Sequence, residues 1–132
     1  MATIKRFEDL DCWKASRALA RHVYKLCDEG RLSKDFDPRS QFRRAAASTM
    51  NNIAEGFGRY SNKEFIRFLE YSQSSSRELK SMSYLLRDLE YVSDSGLDEL
   101  EKLIEDHLNL IMGFIRYLSR STSKHSNSKT ST

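Results

Sequence analysis

Six basic residues and a tyrosine between positions 39 and 67 could together bind a polyanion. They are Arg39, Arg43, Arg44, Arg59, Tyr60, Lys63 and Arg67. Arginine and lysine bind phosphate groups through charge and hydrogen bonds, and a tyrosine ring can stack on a nucleobase. The same stretch contains only two acidic residues, Glu55 and Glu64, so its net charge is +4. This composition predicts a nucleic-acid-binding surface.

The acidic residues are concentrated elsewhere in the chain, which allows a second interpretation of the basic stretch. Residues 94–106 carry a net charge of −5, because six acidic residues are opposed only by Lys102. The basic stretch could therefore bind a polyanion, or it could pair with the acidic stretch of a neighbouring copy. The net charge of the whole chain is only +3, and it leaves both interpretations open.

Asn52 and Glu55 are polar residues beside the apolar stripe of the same stretch. They lie three positions apart and would share one face of a helix. We expect them to form a small structural cluster of hydrogen bonds with Arg44 or Lys63. A catalytic role for Glu55 is disfavoured, since one carboxylate beside arginines does not define a reaction.

The sequence lacks the spacings that are typical of metal and enzyme sites. His22, His107 and His125 occur without an H-x-x-x-H or E-x-x-H pattern, and the chain contains no C-x-x-C. It also has no G-x-S-x-G, Walker or G-x-G-x-x-G motif. The sequence therefore predicts a protein that is not an enzyme and that requires no metal and no cofactor.

Long helices must position these residues, because the chain has only one proline and five glycines. Apolar residues at spacings of three and four predict helices at about 9–29, 38–57, 62–91 and 96–118. Gly56 and Gly58 could adopt the left-handed conformation that ends a helix. Ser61 and Glu64 form a capping box that starts the next helix. Helices joined by so short a turn are antiparallel, so we predict an all-α, antiparallel up-down four-helix bundle.

Short segments flank the predicted bundle at 9–118. Residues 1–8 are expected to be an N-terminal lead-in, and the tail at 119–132 is rich in serine and threonine and is expected to be disordered. No apolar run is long enough to span a membrane, so we expect a cytoplasmic protein. Cys12 and Cys27 lie roughly 22 Å apart along one predicted helix. They cannot form a disulfide with each other over that distance. We expect buried thiols, and the alternative is an intermolecular or redox role.

Three motifs in order carry a resemblance to a known family. The chain reads QFRRAA at 41–46, NIAEG at 52–56 and SNKEF at 61–65. These motifs resemble the signatures of the four-helix bundle family of 23S ribosomal RNA intervening-sequence proteins, and FEDL at 7–10 with WKA at 13–15 resembles its opening. The chain departs from the family pattern at Met50, where a proline is usual, and at 74–76, where three serines replace Gly-Ser-Leu.

The resemblance implies a function that the residues alone do not give. It implies a homo-oligomer, a pentameric ring, and extends to the accessory variability determinants of diversity-generating retroelements. Those relatives bind nucleic acid and a partner reverse transcriptase. One hypothesis is therefore a non-enzymatic accessory protein that binds RNA or an RNA–DNA hybrid and assists such a reverse transcriptase. The alternative is a self-assembling structural or protein-interaction module without nucleic-acid binding.

Overall fold

The computed structural model describes the backbone of residues 4–130 and the side chains of residues 4–121. The helices are α1 (Asp11–Cys27), α2 (Phe36–Phe57), α3 (Asn62–Asp88) and α4 (Asp94–Thr130), and short 3-10 turns occur at Phe7–Asp9 and Gly30–Lys34. Each helix packs against the next along the chain, and α4 packs against α1. Residues 4–130 contain no strand. The predicted all-α four-helix bundle is confirmed.

Two apolar clusters form the core, one at each end of the bundle. The cluster near the α1–α2 loop includes Leu19, Phe42 and Leu79. The cluster near the α2–α3 turn includes Ile53 and Leu69. The helix spacing of three and four places these side chains on the inner faces, where burial of each large side chain stabilises the fold by about 2 kcal/mol.

A layer of buried polar side chains separates the two apolar clusters. Every helix contributes to this polar layer at the same level, and its members are Ser16, Thr49, Ser72, Ser76 and His107. In each helix the polar residue follows a member of one cluster and precedes a member of the other. Ser72 and Ser76 stand at heptad spacing between Leu69 and Leu79 of α3. Both serines lie in the core, where α4 supplies the His107 imidazole.

The turn between α2 and α3 follows the sequence prediction only in part. Ser61 Oγ accepts a hydrogen bond from the Glu64 amide at 3.2 Å, as expected for a helix start. Gly58 ends α2 with a φ of −81°, so the predicted left-handed conformation is wrong. Gly56 lies inside α2, where an added Cβ would lie 2.6 Å from Phe68 Cβ. That glycine is required for close packing of α2 against α3.

The ends of the helices also differ from the prediction. The first helix ends at Cys27, and α4 continues to Thr130 instead of ending near residue 118. The tail was expected to be disordered, but no proline or glycine follows Gly113 to interrupt the helix. Each residue added to an existing helix completes one further backbone hydrogen bond, so extension needs no new nucleus. Residues 1–3 of the lead-in and residues 131–132 of the tail lie outside the described residues.

Both cysteines are buried free thiols, as the sequence predicts. Burial raises the pKa of the Cys12 thiol to about 12 and raises the pKa of the Cys27 thiol in the same direction. Within the described residues, no helix combines the length and the apolar character that crossing a membrane would require.

Candidate nucleic-acid interface

The structure separates the predicted basic residues into two groups at opposite ends of α2. Arg39, Arg43 and Arg44 lie in the first half of this helix, and the other basic residues follow its end at Phe57. Arg43 and Phe57 are roughly 21 Å apart along the helix at 1.5 Å per residue. The basic residues therefore do not cluster at one end of the α2–α3 hairpin, as one compact binding surface would require.

Arg39 and Arg43 are engaged in contacts with the neighbouring α1–α2 segment. Arg39 Nη1 donates a hydrogen bond to the carbonyl oxygen of Ser33 at 2.6 Å. Arg43 pairs with Asp28 at 3.2 Å, and its guanidinium carbon lies 5.3 Å from the centroid of the Tyr24 ring. These contacts fasten the loop and the end of α1 to α2. Arg39 and Arg43 thus have a structural explanation.

The expected polar cluster of Asn52 and Glu55 does not form. The Asn52 amide donates to the carbonyl and hydroxyl oxygens of Ser48, each at 2.9 Å. Ser48 Oγ in turn lies 2.8 Å from Ser75 Oγ and so connects α2 to α3. Glu55 instead pairs with Arg59 four residues later at 3.3 Å. Asn52 therefore belongs to a contact between helices and Glu55 to the exposed surface.

Arg44 and Lys63 also lie apart from Asn52. Arg44 donates to Ser40 Oγ at 3.2 Å within its own helix. The Lys63 side chain is exposed and makes no hydrogen bond or ion pair with the part of the chain whose side chains are described. Its ammonium group is available to an external anion.

Two arginines near the α2–α3 turn are held against aromatic rings of α3. The guanidinium carbon of Arg59 lies 4.6 Å from the centroid of the Phe68 ring. Arg67 Nε donates to the Tyr71 hydroxyl at 2.8 Å, and its guanidinium carbon is 5.8 Å from the Tyr71 ring centroid. Both arginines remain exposed. A guanidinium held over a ring loses less conformational entropy when it binds phosphate.

Tyr60 is at the tip of the same turn, and its ring is fully exposed. Among the described side chains it has no ring contact or hydrogen bond. One exposed surface, here called the turn patch, is therefore formed by Arg59, Tyr60, Lys63 and Arg67. It offers three cations and one aromatic ring. This is the combination of groups that binds phosphates and stacks on bases.

A cleft of about 890 Å³ adjoins the turn patch, between the start of α1, the α2–α3 turn and α4. Arg59 lines this cleft as well as belonging to the patch. Four aromatic side chains from three helices line it, namely Phe57, Phe65, Phe114 and Tyr117. Sequence reasoning missed the cleft, since it depends on how α4 packs beside the start of α1. In the sequence, the signal for this cleft was Gly113, because a glycine between Leu110 and Tyr117 on one helix face leaves a gap among large side chains.

The described residues contain no group of His, Cys, Asp or Glu side chains arranged to hold a metal ion.

The model of the family described as 23S rRNA-intervening sequence protein matches residues 8–113, which include the whole turn patch. The chain belongs to this family. The family resemblance of the sequence motifs is thereby confirmed.

A solved structure is also similar to this member of the family. It is a protein of unknown function from the S23 ribosomal protein family, from Bacteroides thetaiotaomicron. The TM-score is 0.71 at 21% sequence identity, and the likeness covers 79% of this chain and 97% of that chain. At this identity the similarity shows the fold alone. None of the curated proteins compared with the chain matches it.

Proposed function

We propose that this protein is a non-enzymatic nucleic-acid-binding protein that contacts RNA or an RNA–DNA hybrid through the turn patch. The observation that carries the proposal is the position of Arg59 and Arg67 over aromatic rings beside the exposed Tyr60. A preoriented guanidinium group can bind two oxygens of one phosphate at once. The free ammonium group of Lys63 adds a third cationic contact to those of Arg59 and Arg67. Phosphate contacts of this kind give affinity that depends on salt and little on sequence.

The turn patch is a better candidate than the basic residues at the other end of α2. There, Arg43 pairs with Asp28 and Arg39 is bonded to a loop carbonyl. A phosphate would have to displace these partners at two side chains that are only partly exposed. In the turn patch, Arg59 pairs with Glu55 and Arg67 is bonded to the Tyr71 hydroxyl. Both of these arginines are exposed, however, and Lys63 has no partner to displace among the described side chains. The proposal therefore assigns RNA contact to Arg59, Tyr60, Lys63 and Arg67.

We further propose that the protein works as an accessory to a reverse transcriptase of a diversity-generating retroelement, as a homopentamer in the cytoplasm. The resemblance of the motifs, which extends to the accessory variability determinants, is what supports this role. The charge distribution supports it as well. Arg87 pairs with Asp94 and Asp98 at 3.0 Å each, while Glu101 and Glu105 of α4 stay exposed for a protein partner.

The experiment that tests RNA binding is fluorescence anisotropy with labelled structured RNA, RNA–DNA hybrid and duplex DNA across a salt series. We expect micromolar or tighter binding that weakens steeply with salt. The double variant Arg59→Glu/Lys63→Glu should lose at least tenfold in affinity, with unchanged mass by light scattering. The matched control Lys80→Glu/Lys102→Glu makes the same charge change at exposed positions away from the patch and should bind normally. Absence of binding at low salt by the intact protein would refute the proposal.

A second candidate function, a self-assembling module without nucleic-acid binding, is favoured by a different observation. Large apolar side chains are exposed on α4, including Leu110, Met112 and Tyr117. Such side chains are typical of contacts between subunits. This candidate predicts that the charge reversals in the turn patch change the oligomer mass, and that RNA does not bind at any salt concentration.

A further inference from the structure

We infer that the cleft beside the turn patch accepts an unpaired nucleobase, so that the protein selects single-stranded or looped RNA over duplex. The inference rests on the proposed function, because the phosphates on either side of that base would be held by the turn patch. It goes beyond the proposed function because it names the part of the nucleic acid that is recognised, an unpaired base. A base inside a duplex is stacked on both sides and cannot enter a cleft, whereas a base in a loop can be turned outward.

The size of the cleft and its aromatic wall suit a flat aromatic ligand. Its volume of about 890 Å³ lies in the usual range of small-molecule sites, roughly 300–1,000 Å³. Phe65 contacts Phe57 edge to face at 6.0 Å between centroids, and Phe114 at 5.4 Å. The Phe114 ring also stacks on the Tyr117 ring, with centroids 6.2 Å apart and an angle of 12° between the ring planes. Such a wall offers faces and edges on which a base can stack, without preference for one sequence.

Polar groups at the edge of the cleft match the edges of a base. Asn62 of α3 and Asn109 of α4 line the cleft, and an amide can donate to and accept from a base at the same time. Asp9 and Asp11 also line it. A carboxylate accepts hydrogen bonds from the amino groups of bases but repels phosphate.

The charge distribution therefore specifies which part of a nucleotide enters. The carboxylates on the α1 side exclude the phosphate from the cleft, and Arg59 attracts it toward the α2–α3 turn. A strand that crosses the turn patch would place a phosphate at Arg59 and direct its base inward. This complementarity favours a nucleotide over an apolar peptide, which supplies no negative charge outside, and over a phospholipid, whose acyl chains cannot form hydrogen bonds with Asn62 and Asn109.

Gly113 permits a direct test, because it lines the cleft and a Cβ added there would meet no atom within 4 Å. A Gly113→Leu variant should therefore occupy the cleft without disturbing the bundle, and leucine also favours the helix. Ser119→Leu is the matched control, since Ser119 is exposed on the same helix and does not line the cleft. Both variants leave the turn patch intact.

The measurement is anisotropy with three labelled probes of equal length: an unstructured single-stranded RNA, the same sequence as a duplex, and an abasic phosphodiester strand. The parent protein should bind the single strand more tightly than the other two. Gly113→Leu should reduce affinity for the single strand by on the order of tenfold, to the level of the abasic strand, and should not change abasic binding. Ser119→Leu should match the parent. Tyr117→Ser, which removes part of the wall, should weaken single-strand binding in the same way.

The outcomes separate this inference from the proposed function. If both cleft variants bind the single strand as well as the parent does, while Arg59→Glu/Lys63→Glu does not, the cleft assignment fails and RNA binding stands. If the parent protein binds none of the three probes, the proposed function itself fails. If Gly113→Leu changes the mass measured by light scattering, the cleft is a contact between copies of the chain, which also overturns the inference.

Discussion

The imidazole Nε2 of His107 lies 3.2 Å from the hydroxyl oxygen of Ser72 in the polar layer of the core. Ser72 donates its one hydroxyl hydrogen to the Thr49 carbonyl oxygen at 2.6 Å, so it must accept from Nε2. The other ring nitrogen, Nδ1, lies 3.1 Å from Ser76 Oγ and accepts from that hydroxyl. Burial favours the neutral imidazole, and the neutral ring therefore carries its proton on Nε2. Its hydrogen bonds join α4 to α3, and Ser72 continues them to α2.

The buried position of His107 predicts a loss of stability in mild acid. Burial lowers its pKa from the ordinary 6.5 to about 4. The unfolded chain therefore binds a proton below about pH 6.5, while the folded chain does so only near pH 4. The contribution of neutral His107 to the free energy of unfolding is complete above the pKa of this residue in the unfolded chain. It is lost as the pH falls toward 4. We expect His107 to cost about 2 kcal/mol of unfolding free energy between about pH 7.5 and about pH 5, measured by urea denaturation.

The control for this pH dependence is His107→Gln, which keeps a donor and an acceptor but does not titrate in this range. Its overall stability can differ from that of the parent. Its decrease in unfolding free energy over the same pH interval should be smaller by the amount assigned to His107. Equal decreases in parent and variant would show that other groups carry the acid sensitivity.

Removal of the Ser72 hydroxyl should destabilise the bundle. In Ser72→Ala the Nε2–H of His107 would lose its acceptor and the Thr49 carbonyl oxygen would lose its donor at a buried site, which costs about 1–3 kcal/mol. Ser74→Ala is the matched control, since Ser74 is exposed on the same helix, and its effect should stay within about 0.5 kcal/mol. Thermal or urea unfolding of the two variants gives the comparison. Similar stabilities would indicate that the hydrogen bond contributes little.

The helices could be predicted from the sequence because their periodicity is a local property of the chain. Leu69, Ser72, Ser76 and Leu79 follow the heptad spacing whether or not their side chains are apolar. The role of the serines could not be predicted, since it depends on His107, which lies more than thirty residues away in sequence. Serine on an inner face is compatible with a close helix approach, a subunit contact or a hydrogen bond. Only the packing of α4 decides among these.

The residue types of the candidate site could be predicted from the sequence, but the positions of these residues relative to one another could not. Arg43 and Arg59 are close in sequence, but the rigid helix between them holds them at opposite ends of the bundle. The contacts that engage Arg43, with Asp28 and Tyr24, come from α1 and the segment after it, and no local pattern reveals them. Lys63 and Tyr60 could be identified from sequence because a polar turn next to a helix start is exposed in almost any packing.

Gly56 and Gly113 should respond to alanine in opposite directions although both are within helices. A Cβ at Gly56 would lie 2.6 Å from Phe68 Cβ and 2.9 Å from the Phe65 ring. Helices α2 and α3 would have to separate, so Gly56→Ala should destabilise by about 1–3 kcal/mol. At Gly113 nothing lies within 4 Å, and Gly113→Ala should stabilise by roughly 0.4–1 kcal/mol. Chemical denaturation tests both. Stabilisation by Gly56→Ala would contradict the close packing at the turn.

Lys63 and Arg43 should differ in their effects on RNA binding and on stability. Lys63 is exposed and has no partner among the described side chains, so Lys63→Ala should leave the unfolding free energy unchanged. Loss of one phosphate contact should reduce the slope of log affinity against log salt by about 1. Arg43→Ala should leave that slope unchanged and lower stability, because Arg43 contacts Asp28 and Tyr24. Anisotropy over a salt series and urea unfolding measure both properties. An altered salt slope in Arg43→Ala would place RNA along the length of α2, since only a strand spanning both ends of that helix could contact both groups.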